Sequence, residues 1–586
     1  MKQRKKPSPK QPEAPASSGH PASATRAARI GLGQALGAVV ICAVVVAAYW
    51  PAMQGDFLWD DDDYVSDNQT LRSIEGLRSI WIEPSATPQY YPLVHTSFWL
   101  EYRLWGLAPV GYHITNLVLH VAAALLLWRI LLFLSVPGAW LAATLFAIHP
   151  VHVESVAWIT ERKNVLSGVF YLSAMLVYLR FAIAPIDKEK QRRRWWLYAV
   201  ACGLFLLALL SKTVTATLPA ALLILILWKR RQAVWRDLWP LLPLFAVGAT
   251  LGLVTAWLEK FGVGARGIDW QLSPLQRCLI AGRALWFYAG KLIWPSHLTF
   301  IYPRWHVDPS DPVQLAYPLA ALATLGGLWF ARNKIGKGPV VAVSLFIATL
   351  APALGFLDFF PMRYSFVADH FQYLASIGLI ALGVGGATLL ARRWAPAHAR
   401  LPGVAGVILI LVLAVVTWRQ SHAYRNLEVL WRDTIAKDPD SWMGHTSLGA
   451  WLGRRERLAE AEWHYREAVR ANPNFASARF NLGALLANQG RLDEAILHMR
   501  ADVRLEPKSA VSSLNLAHAL LLVGQTEEAI AMLRQATTRW PNVPAFRELL
   551  RSALHEAQPD AGRKPEQALP TAPRPADTTP TAGGPS

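Results

Sequence analysis

Windows of about 20 apolar residues, each long enough to carry a helix across a bilayer, recur between residues 31 and 418 with few long polar interruptions. Over 586 residues, 53% hydrophobic and only 17% charged, the chain is too apolar for a soluble enzyme of this length. It predicts an all-α protein whose larger part is a polytopic membrane domain. Eleven spans are expected, near residues 31–50, 110–134, 138–149, 165–183, 196–211, 214–228, 239–258, 312–331, 338–356, 372–391 and 402–418.

The segment 273–294 is also apolar, but it carries Arg277, Arg283 and Lys291 and ends at Pro295. Counting it as a span inverts every later loop. Leaving it as an interfacial or re-entrant helix puts Lys188 to Arg194, Lys229 to Arg231, Arg332 to Lys337 and Arg392 with Arg393 and Arg400 on one side, the cytoplasmic one by the positive-inside rule. The basic stretch 1–29, with Lys2, Arg4, Lys5, Lys6, Lys10, Arg26 and Arg29 among Pro, Ser and Ala, then reads as a disordered cytoplasmic tail. The opposite side receives the long loop 51–109, the loops near 150–164 and 259–311, the stretch 357–370 and everything after residue 418. A bacterial inner membrane with a periplasmic first loop is the expected location.

The net charge of +18 is spent in these short runs between apolar windows. It forms no basic stripe with interleaved aromatics, so nucleic acid is not expected as a partner. The three cysteines, Cys42, Cys202 and Cys278, lie too far apart in sequence to suggest a disulfide framework or a CxxC metal site.

After the last span a 34-residue period appears. With Trp442 as the first position, Leu448-Gly449, Ala461, Tyr465, Ala468 and Pro473 recur in a second unit as Leu482-Gly483, Ala495 and Pro507, and in a third as Leu516, Ala529, Ala536 and Pro541. These are tetratricopeptide marks: small residues let the two helices of a unit approach, and the final proline stops the second. The expected domains are a membrane domain over 30–420 and a repeat domain over 421–557 with full units 442–475, 476–509 and 510–543. A disordered tail over 558–586 follows.

The chemistry-bearing residues gather at loops. The first loop opens with Phe57-Leu58-Trp59 and four acids, Asp60, Asp61, Asp62 and Asp63. Adjacent carboxylates repel, so either a solvated acidic turn or a carboxylate base or divalent-metal site fits. Tyr112-His113, Asn116 and His120 share one helix face. The segment from His149 through His152, Glu154 and Glu161-Arg162-Lys163-Asn164 sets several ionisable groups where two spans meet, an expensive placement that favours a site. His149, His152 and Glu154 form only a weak metal pattern, and metal dependence stays open. Lys212, Arg363 and Asp369-His370 with Tyr373 are further groups at the membrane edge, where cations suit lipid phosphate.

Phe57-Leu58-Trp59-Asp60-Asp61 through Asn68, Tyr91-Pro92-Leu93, Tyr112-His113 with Asn116 and His120, the run His149 to Ser167, Ser211-Lys212 and Tyr373, followed by the repeats, resemble the transmembrane and TPR-containing O-mannosyltransferase family. That resemblance implies a GT-C-like membrane glycosyltransferase using a polyprenyl-phosphate sugar donor, with Asp60 and Asp61 as its acidic pair. Tyr91 stands where animal members have Arg, and Asp369-His370 where they often have Glu-Arg. Two functions fit the chain. One is an inverting transferase that moves a sugar, mannose among the candidates, to a Ser or Thr hydroxyl of a protein. The other is a non-enzymatic membrane-anchored repeat scaffold for an envelope complex. For the first, the binding residues expected beside Asp60 and Asp61 are Tyr91, His113, His149, His152, Glu154, Arg162, Lys163, Lys212, Arg363, Asp369 and Tyr373, with membrane lipid and an acceptor or partner protein as further contacts.

Overall fold

The computed structural model describes residues 21–183, 191–230, 235–265, 267–394 and 401–557. Of the stretches expected to be disordered, 558–586 and residues 1–20 of the tail 1–29 lie outside these, whereas 21–29 form the start of a helix. The described chain is helical and contains no strand. Its helices are α1 (Pro21–Tyr49), α2 (Ile74–Ile82), α3 (Pro92–Trp105), α4 (Pro109–Phe133), α5 (Ala139–Ala147), α6 (Val153–Ala157), α7 (Arg162–Ile183), α8 (Gln191–Ser211), α9 (Leu218–Lys229), α10 (Trp235–Leu238), α11 (Leu242–Leu258), α12 (Pro274–Ile293), α13 (Pro312–Ile335), α14 (Gly338–Leu350), α15 (Ser376–Trp394) and α16 (Leu401–His422). The remainder are α17 (Leu427–Lys437), α18 (Trp442–Gly453), α19 (Leu458–Ala471), α20 (Ala476–Asn488), α21 (Leu492–Leu505), α22 (Ala510–Leu522), α23 (Thr526–Arg539) and α24 (Pro544–Glu556).

Each of the eleven expected windows carries a helix, and among the described residues eight helices are long and apolar enough to cross a membrane. The three that fall short are α5, α9 and α14. The nine residues of α5 rise only about 14 Å, against about 30 Å of hydrocarbon. The chain that follows α5 is accordingly set deep. His120, eleven residues into α4, bonds through Nε2 to Ala147 O at 2.9 Å, and Asn116 donates to Trp158 O at 3.1 Å. The segment 149–161 therefore lies roughly 10–16 Å below the head of α4. It is a polar floor under the first loop.

Both ends of α12 are tied to loops on this same face. Arg277 donates to Gly355 O and pairs with Asp358, while Lys291 donates to Ser296 O and Leu292 O accepts from His149. Its middle meets the start of α13, where a Cβ at Gly282 would sit 2.4 Å from Pro318 N.

The repeat helices follow the 34-residue register: α18–α19, α20–α21 and α22–α23 are the three units. Each close approach uses the small residue expected, since a Cβ on Gly449 would lie 2.7 Å from the Tyr465 ring and one on Gly483 2.9 Å from Met499. The turn within each unit needs a left-handed residue. Gly490 and Gly524 supply it at φ 77 and 78, whereas the first unit places Glu456 there at φ 62.

Candidate active site

Trp59 precedes the acidic turn with φ 42, a conformation costly for a tryptophan. Aromatic packing on three sides holds it there: the indole stacks on Trp158 at 5.9 Å and meets the edges of Phe300 at 5.3 Å and Trp431 at 5.8 Å. Trp431 belongs to α17, so the repeat domain braces this turn from the same side of the membrane domain. Trp442 on Tyr364, at 5.7 Å, is a second contact between the two domains.

The four acids separate by environment. Asp61 is fully buried; it accepts from Leu58 N and Thr160 N, both at 2.7 Å, and from the Thr160 hydroxyl. Burial pushes its carboxyl up to about 7, with the Thr160 and Leu58 donors opposing the rise. Asp62 and Asp63 are part-exposed, Asp62 accepting from Ser66 and sensing Arg454 of the repeat domain. Asp60 is half-buried, and its charge acts on the Lys163 ammonium, as does the Tyr91 phenol.

Lys163 belongs to a compact charged cluster. Its ammonium is 3.1 Å from Glu161, which also receives Lys212 at 3.3 Å. Lys212 donates to Asn164 Oδ1 at 2.8 Å, and Asn164 Nδ2 donates to Ser155 and to His370 O. His370 Nδ1 is 2.9 Å from Glu154 Oε1, and its backbone N donates to Glu154 Oε2 at 2.9 Å. Burial lowers the Lys212 ammonium to about 8, with Glu161 holding it up. Two cations and the Glu161 carboxylate thus meet in one buried recess, and the charge of Asp60 from the first loop acts on it through Lys163.

Other expected residues lie elsewhere. Arg162 is fully buried and bonds Glu101 bidentately, at 2.7 and 3.0 Å, and Tyr112 O and Asn116, so its guanidinium is committed to joining α3, α4 and α7. His113 is buried on α4, next to Tyr112, whose carbonyl accepts from Arg162. His152 bonds Phe146 O and Ser376, His149 bonds Leu292 O, and Tyr373 donates its hydroxyl to or accepts from His120 at 2.8 Å. These form a packing network beneath the recess. Asp369 accepts from Tyr302 at 3.0 Å, and burial raises its carboxyl well above the usual range. Arg363 reaches Asp269, at 3.7 Å. Among the described residues no group of three or more His, Cys, Asp or Glu side chains is arranged to hold a metal ion.

Glu161, Asn164 and His370 complete the cluster but stood outside the expected binding set. The adjacency Glu161-Arg162-Lys163-Asn164 was the available signal: at the start of a helix, consecutive residues point to different neighbours, and only Glu161, Lys163 and Asn164 turn into the recess.

Fold and site define a multi-span helical membrane protein with a buried charged centre below its first loop and a tetratricopeptide array against that loop. The tetratricopeptide repeat family matches residues 452–510 and 510–542. The chain is a homologue of proteins named protein O-mannosyl-transferases. It is 24% identical over 466 residues to F38B6.6 of Caenorhabditis elegans, covering 73% of this chain and 61% of that protein. It is 25% identical over 511 residues to Tmtc3 of Drosophila melanogaster, covering 73% and 54%. With TMTC3 of Mus musculus it shares 34% identity over 151 residues, 24% of this chain and 16% of the relative. The chain spans less than two thirds of the length of each of these relatives.

Proposed function

We propose that this chain is an inverting membrane glycosyltransferase that moves a sugar, as its relatives' names imply mannose, from a polyprenyl-phosphate donor to a Ser or Thr hydroxyl of a protein. The observation that carries the reading is the buried cation pair below the acidic turn: Lys163 lies 3.1 Å and Lys212 3.3 Å from the same Glu161, and the Asp60 charge acts on Lys163. A carboxylate base beside a pair of buried cations is what such a transfer requires.

In the proposed step Asp60 takes the hydroxyl proton as the acceptor oxygen bonds to the anomeric carbon. The bond from that carbon to the phosphate oxygen breaks on the opposite side, which inverts the centre. The electron pair leaves with the polyprenyl phosphate, whose extra charge is met by Lys163 and Lys212 in a water-poor recess. Tyr91 borders Lys163, while Glu154 and Asp369 hold the His370 side. Asp61 is a positioning residue: its bonds to Thr160 and Leu58 set the turn that presents Asp60. The histidines His113, His149 and His152 act, with Tyr373, on the shape of this floor, Arg162 holds its helices together, and Arg363 pairs with Asp269 away from it.

An apolar groove of about 1250 Å³ between α5 and α12 to α16, lined also by His149, suits the chain of a lipid-linked donor. The repeats stand against the acidic turn and suit delivery of an acceptor protein. In this reading the loop face is extra-cytoplasmic, periplasmic in a bacterial inner membrane. Incubating the purified full chain with a polyprenyl-phosphate-linked radiolabelled mannose and an acceptor protein tests it: label transferred to Ser or Thr supports the proposal. No transfer from any polyprenyl-phosphate sugar, with donor bound, returns the chain to the scaffold reading.

A further inference from the structure

The amphipathic helix α12 separates two spaces of opposite character. Leu285, Ala289 and Leu292 face the apolar groove, whereas Arg283, Phe287 and Lys291, spaced by four, line a second cavity of about 310 Å³. The rest of that cavity comes from the 296–305 segment and from Lys437 and Asp438 at the end of α17. It sits at the seam between membrane domain and repeat domain.

Three cations converge on it with different degrees of freedom. Lys437 is committed, donating to Leu298 O at 2.6 Å and pairing with Asp433 at 2.6 Å. Lys291 donates hydrogen bonds to Ser296 O at 2.7 Å and His297 O at 3.2 Å, which leaves its third N–H. Arg283 lies 4.3 Å over the Trp305 ring and, among the described residues, makes no hydrogen bond or ion pair. Its forked donors are therefore unspent. Thr299, 4% exposed, also lines the cavity, and its buried hydroxyl has no partner among the described residues. His297 at the rim is held at φ 51, strain of the kind kept at ligand clamps. Asp433 pairs with Lys437, Asp438 lines the cavity, and the Asp369 carboxyl behind Tyr302 is pushed toward its neutral form by burial, so against three cations one positive charge is left over.

The cavity's level is marked by its own helix end. Ile293 is 82% exposed and Trp294 75%, apolar side chains that a membrane protein sets in lipid at the interfacial belt. A headgroup phosphate is at hand there, and a phosphodiester carries the single negative charge that balances the cavity. Tyr302, a lining residue whose hydroxyl is on Asp369, separates this cavity from the Glu154–His370 pair.

We propose that Arg283, Lys291 and Thr299, closed by Lys437, form a phosphate site that holds the headgroup of an anionic phospholipid at the seam between the two domains. The site is separate from sugar transfer and does not rest on it. The lipid ties the interfacial helix to the first repeat-domain helix.

The test reads lipid retained by the full chain in native mass spectrometry after reconstitution into phosphatidylcholine nanodiscs with or without phosphatidylglycerol. Retained phosphatidylglycerol is expected, cut about tenfold by Arg283→Gln combined with Lys291→Gln. Arg283→Lys should keep part of it and Asp438→Asn, which removes a rim carboxylate, should increase it. Arg332→Gln, a cation outside the cavity, should leave it unchanged. Equal retention in the double variant and the parent, or equal retention of phosphatidylcholine, overturns the proposal. Should the double variant fail to fold, loss of the Asp438→Asn gain overturns it as well. Binding of inorganic phosphate without any retained phospholipid would contradict the lipid source.

Discussion

Thr160 donates to one oxygen of Asp61 through both its backbone N–H and its hydroxyl, which fastens the first loop to the segment that ends in Glu161 and Lys163. The acid and the cations are thereby one mechanical unit, although 99 residues separate the bonded partners. Asp61→Ala leaves the Thr160 and Leu58 N–H groups buried without an acceptor, at about 1–3 kcal/mol each. We predict a lower unfolding temperature and a larger loss of transfer than of donor binding. Thr160→Val, which removes only the hydroxyl bond, should lose less in a thermal melt.

Arg162 is expected to behave as a joint. Arg162→Ala strands Glu101, 6% exposed at its side chain, without its partner, a defect of about 3–5 kcal/mol. The protein should lose folded yield in detergent, measured by size exclusion. Normal yield with a selective loss of donor affinity would instead place Arg162 in the phosphate site.

Lys212 gives the pH dependence. Its ammonium, lowered to about 8 by burial, is charged below that value and neutral above it, so donor affinity should fall as pH rises through about 8. Lys212→Arg keeps its charge at every pH of interest. It should flatten the alkaline limb, whereas Lys212→Gln should bind donor weakly even at neutral pH.

Trp431 tests the brace from the repeat domain. Its ring lies 5.8 Å from Trp59 and 5.4 Å from Phe300. Truncation to Ala removes a buried aromatic, so about 3–5 kcal/mol is at stake locally, and the left-handed Trp59 turn loses a wall. We predict reduced transfer with membrane insertion intact, read by activity per inserted molecule.

Much of this architecture was legible in the sequence, because bilayer thickness and the 34-residue repeat impose long regular patterns. All eleven windows carry helices, and in the repeat region helices begin at Trp442, Ala476 and Ala510. The helices α5, α9 and α14 came out short for a span, and hydropathy alone does not reveal that: an apolar window has the same composition whether it crosses or stops halfway. The partner of each polar residue was equally hidden. Arg162 and Lys163 are neighbours in sequence, yet one is spent on Glu101, 61 residues away, and the other on Glu161. Contacts such as Trp59 with Trp431 arise only when the repeat domain folds back onto the first loop.

Within the acidic turn Asp60, Asp62 and Asp63 are equally part-buried, and their partners rank them: the Asp60 charge acts on Lys163, whereas Asp62 accepts from Ser66. Asp62→Asn and Asp63→Asn should retain most activity in the transfer assay. Equal loss in all four Asn variants, reproduced by a chelator, would replace the base with a bound divalent cation.

The central claim rests on Asp60, and the direct measurement is sugar transfer from a polyprenyl-phosphate donor by Asp60→Asn alongside its donor binding. The amide keeps the shape of the carboxylate but cannot take a proton at neutral pH. The account predicts a fall in transfer of about 10²-fold or more with donor binding retained. Full transfer by Asp60→Asn, at normal protein level and donor affinity, would contradict it.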